Sequence, residues 1–224
     1  MFGSTERICK LLEIRIMNPD FATPMNGVSF EVPDAKRILV IGSPGVGKTS
    51  LIKTYLKYND TKELAHSNYF YLKLYLTKIF AYGDHYFTYL IDLPPNISTP
   101  ERIQNYPLVD AVILCFALDD RTSLANVEDT WLNDLSSILP SQANSIGVPV
   151  ILAGLKKDLR SVYQSQQAHH MIGESDSPIF VTYEEGKAVS AQNNFEYYFE
   201  SSSETQENVL DTINHALYAA LEAV

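Results

Sequence analysis

The chain has 224 residues, a formal charge of −10 and 46% hydrophobic residues, which suits one soluble domain with a full core and a short appendage rather than two domains. The acidic balance excludes a broad nucleic-acid surface and electrostatic adhesion to anionic lipid. Two cysteines, Cys9 and Cys115, exclude a disulfide framework, and no apolar run is long enough to cross a bilayer. With no basic-then-apolar leader, these features predict a cytoplasmic protein and, for Cys115 within an apolar run, a buried free thiol.

Residues 1–35 form an N-terminal extension with two alternating segments, Leu12–Ile16 and Val28–Val32, between turn signals at Asn18-Pro19-Asp20, Pro24 and Asn26-Gly27. They read as an added hairpin or as a partly ordered arm. Arg37–Ile41 is a buried strand, and Leu51, Ile52, Tyr55 and Leu56 follow at helical spacing. Tyr69–Leu76 and Tyr86–Ile91, separated by Gly83-Asp84, form an antiparallel hairpin. Val109–Leu118 is the next strand, and Ser123–Leu139 a helix carrying Leu124, Val127, Trp131, Leu135 and Ile138. Val148–Ala153, Tyr183–Asn193 and Phe195–Phe199 read as strand, helix and strand, and Val209, Ile213, Leu217 and Leu221 mark a last helix. The alternation predicts an α/β fold: a doubly wound, mostly parallel six-stranded sheet with helices on both faces and one antiparallel edge hairpin.

Chemistry concentrates at the ends of these strands. Gly42-Ser43-Pro44-Gly45-Val46-Gly47-Lys48-Thr49 has P-loop spacing directly after a strand and before a helix. Its glycines let backbone N–H groups converge on a polyphosphate, Lys48 reaches the terminal phosphates and Thr49 offers Mg²⁺ a hydroxyl. Asp92, at the end of a neighbouring strand, either holds the Mg²⁺ water shell opposite Thr49 or caps a helix. After the strand Ile151–Leu155, Lys156 can lie over a purine and Asp158 can accept the two N–H groups that guanine, unlike adenine, presents on one edge.

Residues 36–224 then resemble the Ras superfamily of small GTPases, and within it the Rho branch. The resemblance is carried by Tyr106–Phe116, by Ser123-Leu124-Ala125-Asn126-Val127 leading to Trp131, and by Lys156-Lys157-Asp158-Leu159-Arg160. It places a Rho-type insert near 161–177, with His169 and His170 read as surface histidines, before Tyr183–Gly186 at the start of the next helix. It implies GTP or GDP with Mg²⁺ as ligands. The implied nucleotide-binding set is Gly42, Ser43, Pro44, Gly45, Val46, Gly47, Lys48, Thr49, Ser50, Leu155, Lys156, Asp158, Ser202 and Ser203. It also implies Ser67 as a metal-binding switch residue, with Thr61 as the alternative, and effector and regulatory proteins as partners.

The family pattern breaks at Asp92-Leu93-Pro94-Pro95-Asn96. Pro95 stands where the family has a glycine whose N–H senses the γ-phosphate, and proline has no N–H to give. Asn96 stands in place of the glutamine that orients the attacking water; with Lys48 it completes the catalytic candidates. A group misplaced by about 1 Å can cost roughly a hundredfold in rate, which predicts weak hydrolysis. Leu155 replaces an asparagine that bonds both purine and P-loop, so affinity should fall by one or two powers of ten; Pro44 in the loop is ambiguous. The chain ends without a polybasic run or prenylatable cysteine, so the expectation is no lipid anchor in this sequence, with membrane attachment through a partner or a missing segment. The alternative is a pseudo-GTPase scaffold that binds nucleotide without a γ-phosphate-dependent switch.

Overall fold

A computed structural model of the protein describes residues 32, 34–58, 62–64, 73–93, 109–136, 147–169 and 180–223, with only the backbone described for 62–64 and 166–169. In chain order the elements are β1 (Lys36–Gly42), α1 (Lys48–Leu56), β2 (Lys62–Leu64), β3 (Lys73–Ala81), β4 (Asp84–Asp92), β5 (Ala111–Ala117), α2 (Arg121–Asn126), a π-helical turn (Val127–Leu132) and α3 (Asn133–Ser136). They continue with β6 (Val150–Leu155), α4 (Lys157–His169), α5 (Tyr183–Gln192), β7 (Tyr197–Glu200) and α6 (Val209–Glu222).

The sheet order is β2-β3-β4-β1-β5-β6-β7. β1 lies between β4 and β5 and is parallel to both, β6 and β7 continue the parallel run, and β3 returns antiparallel to β4. The six expected strands are present, and β2 adds a seventh, antiparallel to β3, so the outermost edge lies one strand further out. Lys62-Glu63-Leu64 has no apolar alternation to announce it. The hairpin turns at Tyr82 (φ 49°) and Gly83 (φ 85°), inside the closing pair Ala81 and Asp84; two positive φ values are what a two-residue turn between twisted strands requires.

Both faces of the sheet are covered. Ile38, Val40, Leu90, Ile113, Cys115 and Ile151 pack under α1 and α6, which contribute Leu51, Ile52, Tyr55, Val209, Ile213, Ala216 and Leu217. Leu39, Ile41, Tyr89, Ile91, Val112, Leu114 and Leu152 pack on the other face against Val127, Trp131 and Leu135. Because β1 is buried on both sides, it is a continuous apolar run rather than an alternating one. Each fully buried aliphatic side chain contributes roughly 1.5–3 kcal/mol, so these layers hold the strand ends in place.

Several boundaries differ from expectation for local reasons. The Asp120 carboxylate accepts from the N–H groups of Thr122 and Ser123 at 3.0 and 3.2 Å, starting the helix at Arg121, and the π-helical turn interrupts its regular spacing. Asn194 turns at φ 53° and moves the last strand to Tyr197–Glu200. The start of α5 at Tyr183 is the expected one, set by a reciprocal capping box of Thr182 and Glu185. Of the N-terminal extension, the Val32 N–H donates to the Tyr89 hydroxyl at 3.3 Å; Leu12–Ile16, Thr61, Ser67, Pro94, Pro95, Asn96 and His170 lie outside the described residues.

Candidate functional site

At the carboxyl end of β1 the chain enters a loop that only glycine tolerates in places. Gly42, Gly45 and Gly47 have φ of 144°, 75° and 112°. Gly42 pairs with Cys115 of β5, and a Cβ there would stand 2.1 Å from the Cys115 carbonyl oxygen, so the strand can pass only without a side chain. Gly45 has no atom within 4 Å of a would-be Cβ; its side of the loop is open. Gly47 caps α1 in a left-handed conformation with no side-chain hydrogen bond to the helix, which leaves first-turn N–H groups for an anion.

Lys48 folds back across this loop. Its Nζ donates to the carbonyls of Gly42 at 2.7 Å and Ser43 at 3.0 Å. Burial pushes the ammonium below its ordinary range, against the raising influence of Cys115 and Asp92. Burial also pushes the Cys115 thiol up to about 12, which makes it an inert core group.

Beside the loop, Thr49 Oγ1 donates to Asp92 Oδ2 at 2.5 Å. The two meet because Asp92 ends β4 alongside Val40 of β1. Burial raises the Asp92 carboxyl above its ordinary range, while the Thr49 hydroxyl and Lys48, Lys73 and Lys53 pull it down. A buried carboxylate next to a hydroxyl is a hard-oxygen pair that suits Mg²⁺, which takes few protein ligands and completes its shell with phosphate and water. Among the described residues no cluster of three His, Cys, Asp or Glu side chains could hold a metal by itself.

The third corner lies at the ends of β6 and β7. Lys156 sits at φ 63°, and its Nζ pairs with Asp119 Oδ1 at 3.1 Å and Oδ2 at 3.2 Å. Ser202 Oγ donates to Asp158 Oδ1 at 2.6 Å and accepts from the N–H groups of Glu204 and Thr205, which fixes the carboxylate's direction. The Ser203 carbonyl accepts from Thr54 Oγ1 at 3.4 Å. Behind them Arg160 and Glu200 form a buried bidentate pair, with Arg160 also donating to the Val181 carbonyl and Tyr198 to Glu200. Leu155 is buried, with Cδ1 3.5 Å from where a Gly47 Cβ would stand. The end of β6 and the glycine loop are therefore close neighbours there, on an apolar side.

The sheet thus gathers the segment Gly42 to Ser50 with Asp92, Leu155, Lys156, Asp158, Ser202 and Ser203 on one edge, at the carboxyl ends of parallel strands. Sequence reasoning missed Asp119 as the partner of Lys156, Glu200 as the partner of Arg160, and the donors Asn126 and Trp131 on Ser43 Oγ. Only the pairing of Asn126 and Trp131 within one segment gave any signal of the last. Residues 100–222 match the Ras family. The chain is also similar to the GTP-binding protein rho3 of Schizosaccharomyces pombe, at 30% identity over 192 residues, 85% of each chain.

Proposed function

The chain belongs to the Ras family and is Rho-like within it, and from that premise we propose that it is a guanine-nucleotide switch protein that binds GTP and GDP with Mg²⁺ and hydrolyses GTP weakly. The observation that carries this reading is the joining of a glycine-turned, lysine-centred loop to a Ser202-oriented Asp158 on one sheet edge. Backbone N–H groups of the Gly42–Ser50 segment take the phosphates, and Lys48 exchanges carbonyl partners for phosphate oxygens. Thr49 would hold Mg²⁺, with Asp92 acting through its water shell, and the ion when bound would supply positive charge against the phosphates. The Lys156 stem covers the purine, and Asp158 accepts from its two N–H groups.

Weak turnover follows from Pro95 and Asn96. Losing a preorganised donor costs on the order of 10² to 10³ in rate. The protein acts by presenting its surface to effectors in signalling, cytoskeletal or vesicle-traffic control, in the cytoplasm. Identification of the copurifying nucleotide, with competition among GTP, GDP and ATP, tests the binding claim; equal competition by ATP would sink it. Single-turnover hydrolysis should rise when Asn96→Gln and Pro95→Gly are combined. Pro95 also favours a second reading, a scaffold whose partners ignore the γ-phosphate. Identical hydrogen exchange in GDP and GTP-analogue states would select it over a switch.

A further inference from the structure

We propose that Asn126 and Trp131 are positioning residues for the phosphate-binding loop, acting through the Ser43 hydroxyl, so that a polyphosphate in the loop is felt in the π-helical turn. The inference rests on the nucleotide reading above. Ser43 is 5% exposed, and its Oγ accepts from Asn126 Nδ2 at 3.2 Å and from Trp131 Nε1 at 3.4 Å. Its carbonyl accepts from Lys48 Nζ at 3.0 Å. One residue therefore ties the loop's lysine on its main chain to a separate helical segment on its side chain.

The local backbone explains the arrangement. Five residues of α-helix turn through about 500°, leaving positions 126 and 131 about 140° apart. The wider i→i+5 winding of Val127–Leu132 brings Trp131 back toward the side of Asn126, and both side chains reach one oxygen. Pro44 keeps the preceding Ser43 out of the helical region, so the hydroxyl cannot easily be redirected. When Lys48 turns to phosphate, the Ser43 carbonyl loses its partner, and the Oγ bonds become the main ties of that residue. The Trp131 bond at 3.4 Å is long and has room to shorten.

Trp131 is the single tryptophan of the chain, so tryptophan emission comes from this residue alone and reports its surroundings, the Ser43 contact among them. The test uses the full chain as wild type, Ser43→Ala, Asn126→Ala and the double variant. Labelled-GDP anisotropy sets occupancy and dissociation rate independently, and thermal unfolding checks the fold. The expected result is an emission change on GDP saturation that Ser43→Ala cuts by more than half at equal occupancy. GDP release should quicken about 3- to 10-fold in each single variant, the equivalent of one ordinary hydrogen bond, with no further gain in the double. A silent Trp131 in GDP-saturated wild type, an unchanged signal in Ser43→Ala, or effects that multiply in the double variant overturn the proposal. Should Ser43→Ala not fold, Asn126→Ala decides by the same readouts. A wild type that binds no labelled GDP overturns the nucleotide reading itself, an outcome distinct from binding without a Trp131 response.

Discussion

Replacing Arg160 by methionine strips a buried carboxylate of its counter-charge. The side chains of Arg160 and Glu200 are 12% and 5% exposed, so water cannot take over for the lost guanidinium. The same change leaves the Val181 carbonyl without the Arg160 bond, while Glu200 keeps the Tyr198 hydroxyl at 2.9 Å. Removing one partner of such a pair costs about 3–5 kcal/mol. In a domain of this size that lowers Tm by about 2–4 °C per kcal/mol, or about 6–20 °C in all. Urea and thermal unfolding at fixed GDP and Mg²⁺ measure the loss without a ligand-concentration artefact. Adding Glu200→Gln removes the stranded charge, keeps an acceptor for Tyr198 and should restore at least half of it. GDP release should also quicken in Arg160→Met, because Asp158 sits two residues before Arg160 and Ser201–Ser203 directly follow Glu200. A loss below about 1 kcal/mol, the worth of an exposed pair, would refute the reasoning, as would a double variant no more stable than the single.

Gly42→Ala should destabilise the protein by more than about 3 kcal/mol, since added overpacking would set a methyl 2.1 Å from the Cys115 carbonyl oxygen. Gly45→Ala, with φ 75° but nothing within 4 Å, should cost only about 1–2 kcal/mol; thermal melts of the pair compare crowding with strain. Asp92, raised by burial above its ordinary value of 3.8, holds a proton in the folded state that the unfolded chain has already released, at pH between that value and its folded one. Stability should therefore fall as pH rises from 3.8 through the folded range and stay low at neutral pH. Asp92→Asn should flatten that slope in urea melts against pH and weaken Mg²⁺-dependent nucleotide binding. Leu155→Asn offers the site a polar group worth about 0.5–1.5 kcal/mol and should slow GDP dissociation about 2- to 12-fold; an unchanged rate in stopped-flow release would discard the account of Leu155.

What could be read from the residues was whatever the chain writes locally. β1, β5 and β6 are apolar runs bounded by glycine or charge, and the P-loop states its own turn through Gly42, Gly45 and Gly47. β2 was not legible because Lys62-Glu63-Leu64 is a strand only by pairing with β3. The π-helical turn was hidden because apolar residues at 124, 127, 131 and 135 fit a uniform helix equally well. The left-handed Lys156, the Asp119 partner and the Ser43 donors depend on which strand ends become neighbours. Each is a product of the assembled sheet and has no spacing of its own to read.

The turn at Tyr82 and Gly83 has a mechanical consequence. Tyr82 donates a hydrogen bond to Glu222 and lies 5.6 Å from the Tyr218 ring, so the hairpin tip grips the far end of α6. At the near end of that helix Asn208 Nδ2 holds the Glu200 carbonyl at 2.8 Å, two residues before Ser202, which orients Asp158. The helix is a strut of about 21 Å, and β4 is a second one of about 30 Å, running from the same tip down to Asp92. Tyr82 thus joins the far ends of two elements whose near ends lie at Asn208 and at Asp92.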